Sequence, residues 1–210
     1  MSPNHKADRI LLLPDLNNDE SVKNLIKDFI KLELESKSEP IYLLIMSDGG
    51  LLSNTYALYS FLTKSTCAPI VTVGIANVIS AANIIFAGGR LRIALTNTIF
   101  TLHKVSICPG NTFMSPEDLT SMKKELDTDT VKFFRVITEK RKHHLNPCKL
   151  RINDLKKMIK KSVDGDYTFG SDVALKYGFT DAVAKNISEA MVIAEEKLPL
   201  VQKKLKNRRK

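Results

Sequence analysis

The sequence predicts one α/β domain built on a largely parallel sheet, and three observations carry that reading. Short apolar runs rich in β-branched residues alternate with segments whose apolar residues recur at helical spacing. Glycine, proline and asparagine turns separate them. At 210 residues, 43% hydrophobic and 26% charged, the chain has the size and composition of a single globular domain with a substantial core.

Arg9 to Leu13 reads as a buried strand ending at Pro14, and Asp19 to Ser36 as a helix with Val22, Leu25, Ile26, Phe29, Ile30 and Leu34 at helical spacing. Ile41 to Met46 is a second strand, and Gly49-Gly50 turns the chain into the apolar-rich segment Tyr56 to Leu62. Ile70 to Val73 is a third strand. After Gly74, the small-residue segment Val78 to Ala87 predicts a tightly packed helix closed by Gly88-Gly89. Leu91 to Ala94 and Thr98 to Leu102 are short β-rich runs. Ser115-Pro116-Glu117-Asp118 combines an N-cap serine, proline at the first helical position and an acid three residues after the cap, which starts a helix. Its apolar pattern runs to Arg141, so the helix would be about 38 Å long at 1.5 Å per residue. Such a helix either crosses the body or projects from it. Ile152 to Ile159, Ser171 to Tyr177, the strand Thr180 to Val183 and a closing helix near Ile187 to Leu198 complete the order. Residues 1 to 8 and the basic stretch 199 to 210 are expected to be disordered, leaving 9 to 198 as the domain.

Composition excludes several classes. No apolar run approaches the roughly 18 to 20 residues that cross a bilayer, and Met1 to Asp8 lacks the features of a secretory or transit peptide. Cys67, Cys108 and Cys148 are odd in number and show no Cys-x-x-Cys pairing, which argues against a disulfide framework and against zinc. His143 and His144 are adjacent, a poor two-ligand face on a helix, and are expected on the solvated surface. The net charge of +9 would suit nucleic acid, but Lys197, Lys203, Lys204, Lys206, Arg208, Arg209 and Lys210 supply seven of those charges. The basic stretch Lys140 to Lys161 has no aromatic residue interleaved for base stacking, so no specific nucleic-acid partner is expected.

Four segments place polar groups at strand ends or turns, where α/β folds build sites. They are Ile45 to Gly50, Gly74 to Ser80, Thr101-Leu102-His103, and Asp164 to Gly170. In this order the chain resembles the proteolytic subunit of the Clp protease, from Arg9 to Ile187. The family's Ile-Asn-Ser-Pro-Gly-Gly turn is matched by Ile45 to Gly50, with Met46 and Asp48 as departures. Its Gly-x-Ala-Ala-Ser-Met-Gly segment is matched by Gly74 to Ser80. Arg-x-x-Leu-Pro-Asn-Ser and Met-Ile-His are matched by Arg92 to Asn97 and by Thr101 to His103, and the closing motif by Asp166 to Asp181.

The resemblance implies the family's fold, a repeated β-β-α superhelix with a globular head and a protruding handle helix, here the segment of about 104 to 143. In a register without gaps from Gly74 to His103, the catalytic histidine falls on His103, the catalytic aspartate on Asp166 and the nucleophile on Val78. The oxyanion donors fall on Gly50 and Ile79. Valine supplies no oxygen for the imidazole to deprotonate, so the expectation is an inactive serine-peptidase homologue. Ser80 is the alternative nucleophile. On a helix, two residues rotate a side chain by about 200°, which would turn Ser80 away from His103. The glycine-rich strand that holds substrate in active members is replaced by Lys104 to Asn111, and the arginine used between stacked rings by Gly165.

The resemblance further implies a structural or regulatory subunit of the Clp core. It would self-associate into a ring of about seven, beside an active paralogue and a Clp/Hsp100 AAA+ unfoldase, with no cofactor, no metal and no membrane partner. A plastid-type organelle, apicoplast or chloroplast stroma, is implied by where such inactive subunits occur, and a composition of 24 Lys against 8 Arg agrees with an AT-rich genome. A rival reading comes from the crotonase group, which shares this kind of fold: backbone N–H groups near Gly50 and Ile79 would polarise an acyl thioester without any serine. No nucleotide-binding segment is recognisable to support it.

Overall fold

Backbone pairing organises the chain around one long strand. The computed structural model describes residues 8–107, 114–140 and 144–206. Strands β1 (Ile10–Leu12), β2 (Ile41–Ser47), β3 (Ile70–Ile79), β4 (Leu91–Leu95) and β7 (Ala182–Ala184) lie side by side in that order, each pair parallel. β5 (Ile99–Leu102) pairs in parallel with the far end of β3, and β6 (Tyr167–Gly170) pairs antiparallel with β5. The expected α/β architecture is present.

β3 is where sequence and structure part. The strand expected over Ile70 to Val73 runs on to Ile79, and the helix expected from Val78 begins only at Ala82. Small residues made the segment look helical, but pairing decides it. Val71 to Gly74 bond to β4 on one side while Asn77 to Ile79 bond to β5, and β2 follows along the other edge. A helix from Val78 would leave β5 without its parallel partner.

Helices cover both faces of the sheet, because successive strand residues point to opposite sides. Ile41, Leu43 and Ile45 join the larger core with α1 (Asp19–Glu35), α2 (Leu52–Ser60, followed by the π-turn Phe61–Ser65), α3 (Ala82–Ala87) and α4 (Pro116–Thr138). Tyr42, Val71, Val73, Leu91 and Ile93 join a smaller core under α7 (Ile187–Lys206). The remaining helices, α5 (Ile152–Lys161) and α6 (Ser171–Tyr177), flank β6 in sequence.

α4 starts as expected, with Ser115 and Asp118 forming a reciprocal capping box. Its second half buries Thr130, Phe133, Phe134 and Ile137, while its first half stands out from the body with Leu119 exposed. The helix is therefore exposed over its first half and docked over its second. Residues 141 to 143 and 108 to 113 of the expected handle segment lie outside the described residues.

Two further expectations need correction. The C-terminal stretch from 199 continues α7 to Lys206, because Val201 extends the buried stripe of Ala190, Ala194 and Leu198 beneath the cationic face. His144 is buried rather than solvated, and its carbonyl accepts from Lys204 Nζ. Cys148 is buried, and that burial pushes its thiol pKa up, as suits an inert packed cysteine. Cys67 is exposed, and Cys108 and residues 1 to 7 lie outside the described residues.

Two buried arginines lock the frame. Arg9 donates to the carbonyls of Leu32, Ser36, Glu39 and Pro40, satisfying the C-terminal end of α1. Arg92 donates from Nε and Nη2 to the two carboxylate oxygens of Asp181, both at 3.0 Å, and also to the carbonyls of Gly178 and Asn146.

Candidate active site

β3 ends in a turn that no ordinary helix start requires. Ser80 has φ +53, a left-handed conformation that non-glycine residues rarely adopt, and α3 begins two residues later. The turn is held from several sides. Ser80 N donates to the Thr101 carbonyl at 3.0 Å. The buried amide of Asn83 donates to the carbonyls of Val78, Ser80 and Thr101 at 2.9, 3.1 and 3.0 Å. Strand end, turn and β5 are thereby joined through one side chain, and a strained serine at such a strand–turn–helix corner is the geometry of a nucleophile elbow.

The Gly49-Gly50 turn lies against this corner. Gly49 has φ +99, and a Cβ built on it would stand 2.8 Å from the Ser80 Cβ and 3.0 Å from the Ala81 nitrogen. Gly50, expected as an oxyanion donor, lies against Leu16 and Asn17, where a Cβ would meet Leu16 Cβ at 2.8 Å. Gly49 is thus the glycine that brings backbone to Ser80 and Ala81.

Val78, expected at the nucleophile position, is wholly buried in the larger core. Its Cγ2 lies 3.2 Å from where a Cβ on Gly74 would be, so the side chain fills the space that glycine leaves. The reasoning that turned Ser80 away from His103 assumed a helix from Val78. That premise fails, because residues 78 and 79 are strand and Ser80 is a left-handed turn residue. Ser80 and His103 line one small cavity of about 10 Å³, together with Leu52, Ala81, Val105 and Phe133.

His103 follows β5 directly. Its Nδ1 meets the Lys104 carbonyl at 2.5 Å, and since a carbonyl only accepts, Nδ1 is the donor in this contact, which in the neutral ring leaves the lone pair on Nε2. His103 also lines a cleft of about 960 Å³ with Ile79, Lys104, Asp127, Lys156, Lys160 and Asp166. His103 and Asp166 therefore share a cleft as expected, but among the described residues no hydrogen bond joins them. Lys104 to Ile107 form no strand, and the rest of the expected substrate strand, 108 to 111, lies outside the described residues. Gly165 has φ +79 with open space around it, beside Asp164 at φ +57.

Sequence reasoning missed Asn83 and the parts played by the Thr101 and Lys104 carbonyls. Two of these act through backbone atoms, which leave no residue signature, and Asn83 reads simply as the polar break in an apolar helix. Among the described residues no group of three or more His, Cys, Asp or Glu could hold a metal ion, and no helix is long and apolar enough to cross a membrane.

Together the fold and the corner define a class: an α/β protein carrying a serine on a strained strand–turn–helix, with a histidine directly after the adjacent strand. The chain belongs to the Clp protease family, whose model matches residues 4–187. It is 27% identical over 181 residues to ATP-dependent Clp protease proteolytic subunit 2 of Treponema denticola, covering 85% of this chain and 82% of that one. It is 26% identical over 186 residues to proteolytic subunit 2 of Prochlorococcus marinus, covering 88% and 85%. Proteolytic subunit 3 of Synechococcus sp. is 25% identical over 186 residues, covering 88% and 86%.

Proposed function

We propose that the chain is a subunit of an ATP-dependent Clp proteolytic core in which Ser80, rather than Val78, is the nucleophile and His103 its base. One observation carries this reading: the only left-handed non-glycine residue at the end of a described strand is Ser80, and it opens on the same cavity as His103. In the reaction, the Ser80 hydroxyl passes its proton to His103 Nε2 and its oxygen attacks the peptide carbonyl. The Lys104 carbonyl holds the Nδ1–H and so supports the imidazolium that forms. The leaving amine takes the proton from Nε2, and water then releases the acyl group by the same route. The backbone N–H of Ala81, whose nitrogen stands beside the Gly49 turn, is the candidate oxyanion donor. The test is stoichiometric labelling with a serine-directed fluorophosphonate, located by peptide mapping. Labelling at Ser80 supports the reading, and an unlabelled chain sinks it.

A second reading, a non-catalytic subunit, is favoured by a different observation. His103 and Asp166 share no hydrogen bond among the described residues, and the segment after His103 is not the glycine-rich strand that active members use. In that reading the subunit serves the assembly beside an active paralogue. Both readings include self-association into a ring of about seven, an AAA+ unfoldase partner and a plastid-type compartment. Gly165 supports a ring that does not stack through the usual arginine, since φ +79 is strained for any side chain. Native mass spectrometry of the chain alone and with an active paralogue tests the assembly. A stable fourteen-subunit barrel of this chain alone would count against the unstacked ring.

A further inference from the structure

The cavity beside Ser80 has a size, and size selects substrates. In an acyl transfer to Ser80, the side chain on the carbon next to the attacked carbonyl lies within a few ångströms of the serine oxygen. The concavity lined by Ser80 is the nearest space for that side chain, and the cleft of about 960 Å³ along Ile79 and His103 has room for the rest of an extended peptide. We infer that this cavity restricts cleavage to bonds that follow a small residue: glycine, alanine or serine. The inference rests on the Ser80 reading and deepens it.

The cavity measures only about 10 Å³, close to the volume swept by one water-sized probe. A methyl group enters such a space with slight adjustment, and an isobutyl or benzyl group does not. The walls that limit it are firm. Phe133 comes from the docked half of α4, is 2% exposed and lies tilted beside Phe134, whose ring centroid is 5.4 Å away. Val105 is tied to the same helix because its N–H donates to Thr130 Oγ1 at 3.0 Å. Ala81 is buried at the start of the turn, and Leu52 closes the fourth side from the first turn of α2. Widening the cavity means moving a buried aromatic ring or breaking the Val105 bond, whereas the side chain of Leu52 is only partly buried.

The experiment uses the full chain and two readouts. Fluorophosphonate labelling reports Ser80 without reference to the peptide. Tripeptide coumarin amides with alanine, leucine or phenylalanine at the scissile residue then report kcat/KM. The expected result is labelling at Ser80 with alanine preferred over leucine and phenylalanine by at least tenfold, the scale on which apolar pockets discriminate by a methylene or more. Leu52→Ala and, separately, Phe133→Leu should raise the leucine-to-alanine ratio severalfold, and Leu52→Ala disturbs a residue that the core needs less. A chain that labels at Ser80 yet cleaves after leucine as fast as after alanine overturns the size restriction and leaves the nucleophile standing. A folded Leu52→Ala and a folded Phe133→Leu that both keep the wild-type ratio overturn the assignment of these walls. Absence of labelling overturns the nucleophile, and the restriction with it.

Discussion

Gly49 and Ser80 touch through the place where a Cβ would be: a methyl on Gly49 would stand 2.8 Å from the Ser80 Cβ, closer than two carbons can approach. The glycine is therefore required twice, by its φ of +99 and by its neighbour. Gly49→Ala should push Ser80 off its position. A displacement near 1 Å costs a catalytic group about a hundredfold, so the fluorophosphonate labelling rate should fall on that order. The backbone strain should cost about 1–2 kcal/mol of stability, read as a lowered Tm. A variant that labels at the wild-type rate would show that this contact does not shape the site.

Ser80 and Val78 make opposite predictions. Ser80→Ala should abolish labelling and leave stability almost unchanged. Val78→Ala should keep labelling and cost about 2 kcal/mol, because a fully buried valine loses two methyls from the core. Val78→Ser should create no activity beyond that of the parent chain, since its hydroxyl would face Gly74 and the core. Labelling that appears at residue 78 in this variant would reverse the roles.

The histidine and the aspartate can be separated by kinetics. His103→Ala should lower turnover by about 10²- to 10⁴-fold, the usual contribution of a general base. Asp166→Asn should cost less than about tenfold, because the Nδ1 proton is held by the Lys104 carbonyl and not by the carboxylate. A loss for Asp166→Asn as large as that for His103→Ala would mean that substrate draws the carboxylate onto the ring.

The Arg92–Asp181 pair predicts a stability effect without a local effect on chemistry. Asp181 accepts from Arg92 Nε and Nη2 and from the backbone N–H groups of Arg92 and Asn146. Asp181→Ala leaves a buried guanidinium with part of its bonding lost, and should cost about 3–5 kcal/mol in urea unfolding. Arg92→Met combined with Asp181→Leu should recover part of that loss, because neither charge then remains buried. A single variant within 1 kcal/mol of the parent would show that solvent reaches the pair.

Tyr42 predicts an alkaline limit. Burial, with the Glu195 charge added, pushes its hydroxyl pKa up from the usual value near 10 to about 12. The unfolded chain therefore loses this proton first, and between pH 10 and 12 the folded state holds more protons than the unfolded one. Stability should fall with rising pH through that window and be unaffected by this group below pH 10. Tyr42→Phe should flatten the slope there, checked by urea midpoints at several alkaline pH values. An unchanged slope would assign the alkaline loss to other groups.

The order of strands and helices, the capped start of α4 at Ser115 and the family were all legible in the sequence, because periodicity, turn residues and motif spacing are properties of neighbours along the chain. His103, Asp166 and the two serine-or-valine candidates were legible as residues for the same reason. Which candidate meets the histidine was not. A gap-free register and a run of small residues made Val78 the start of a helix. Hydrogen bonds from β2 and β5, supplied by residues some thirty positions upstream and twenty downstream, extend β3 through Ile79 instead and leave the left-handed corner to Ser80. The stripe that carries α7 past Leu198 and the carbonyl that orients His103 were hidden in the same way. Sequence alone determined which elements and which chemical groups this protein has; only the tertiary structure decided which of those groups face each other, because strand pairing and backbone atoms act between segments that no local pattern connects.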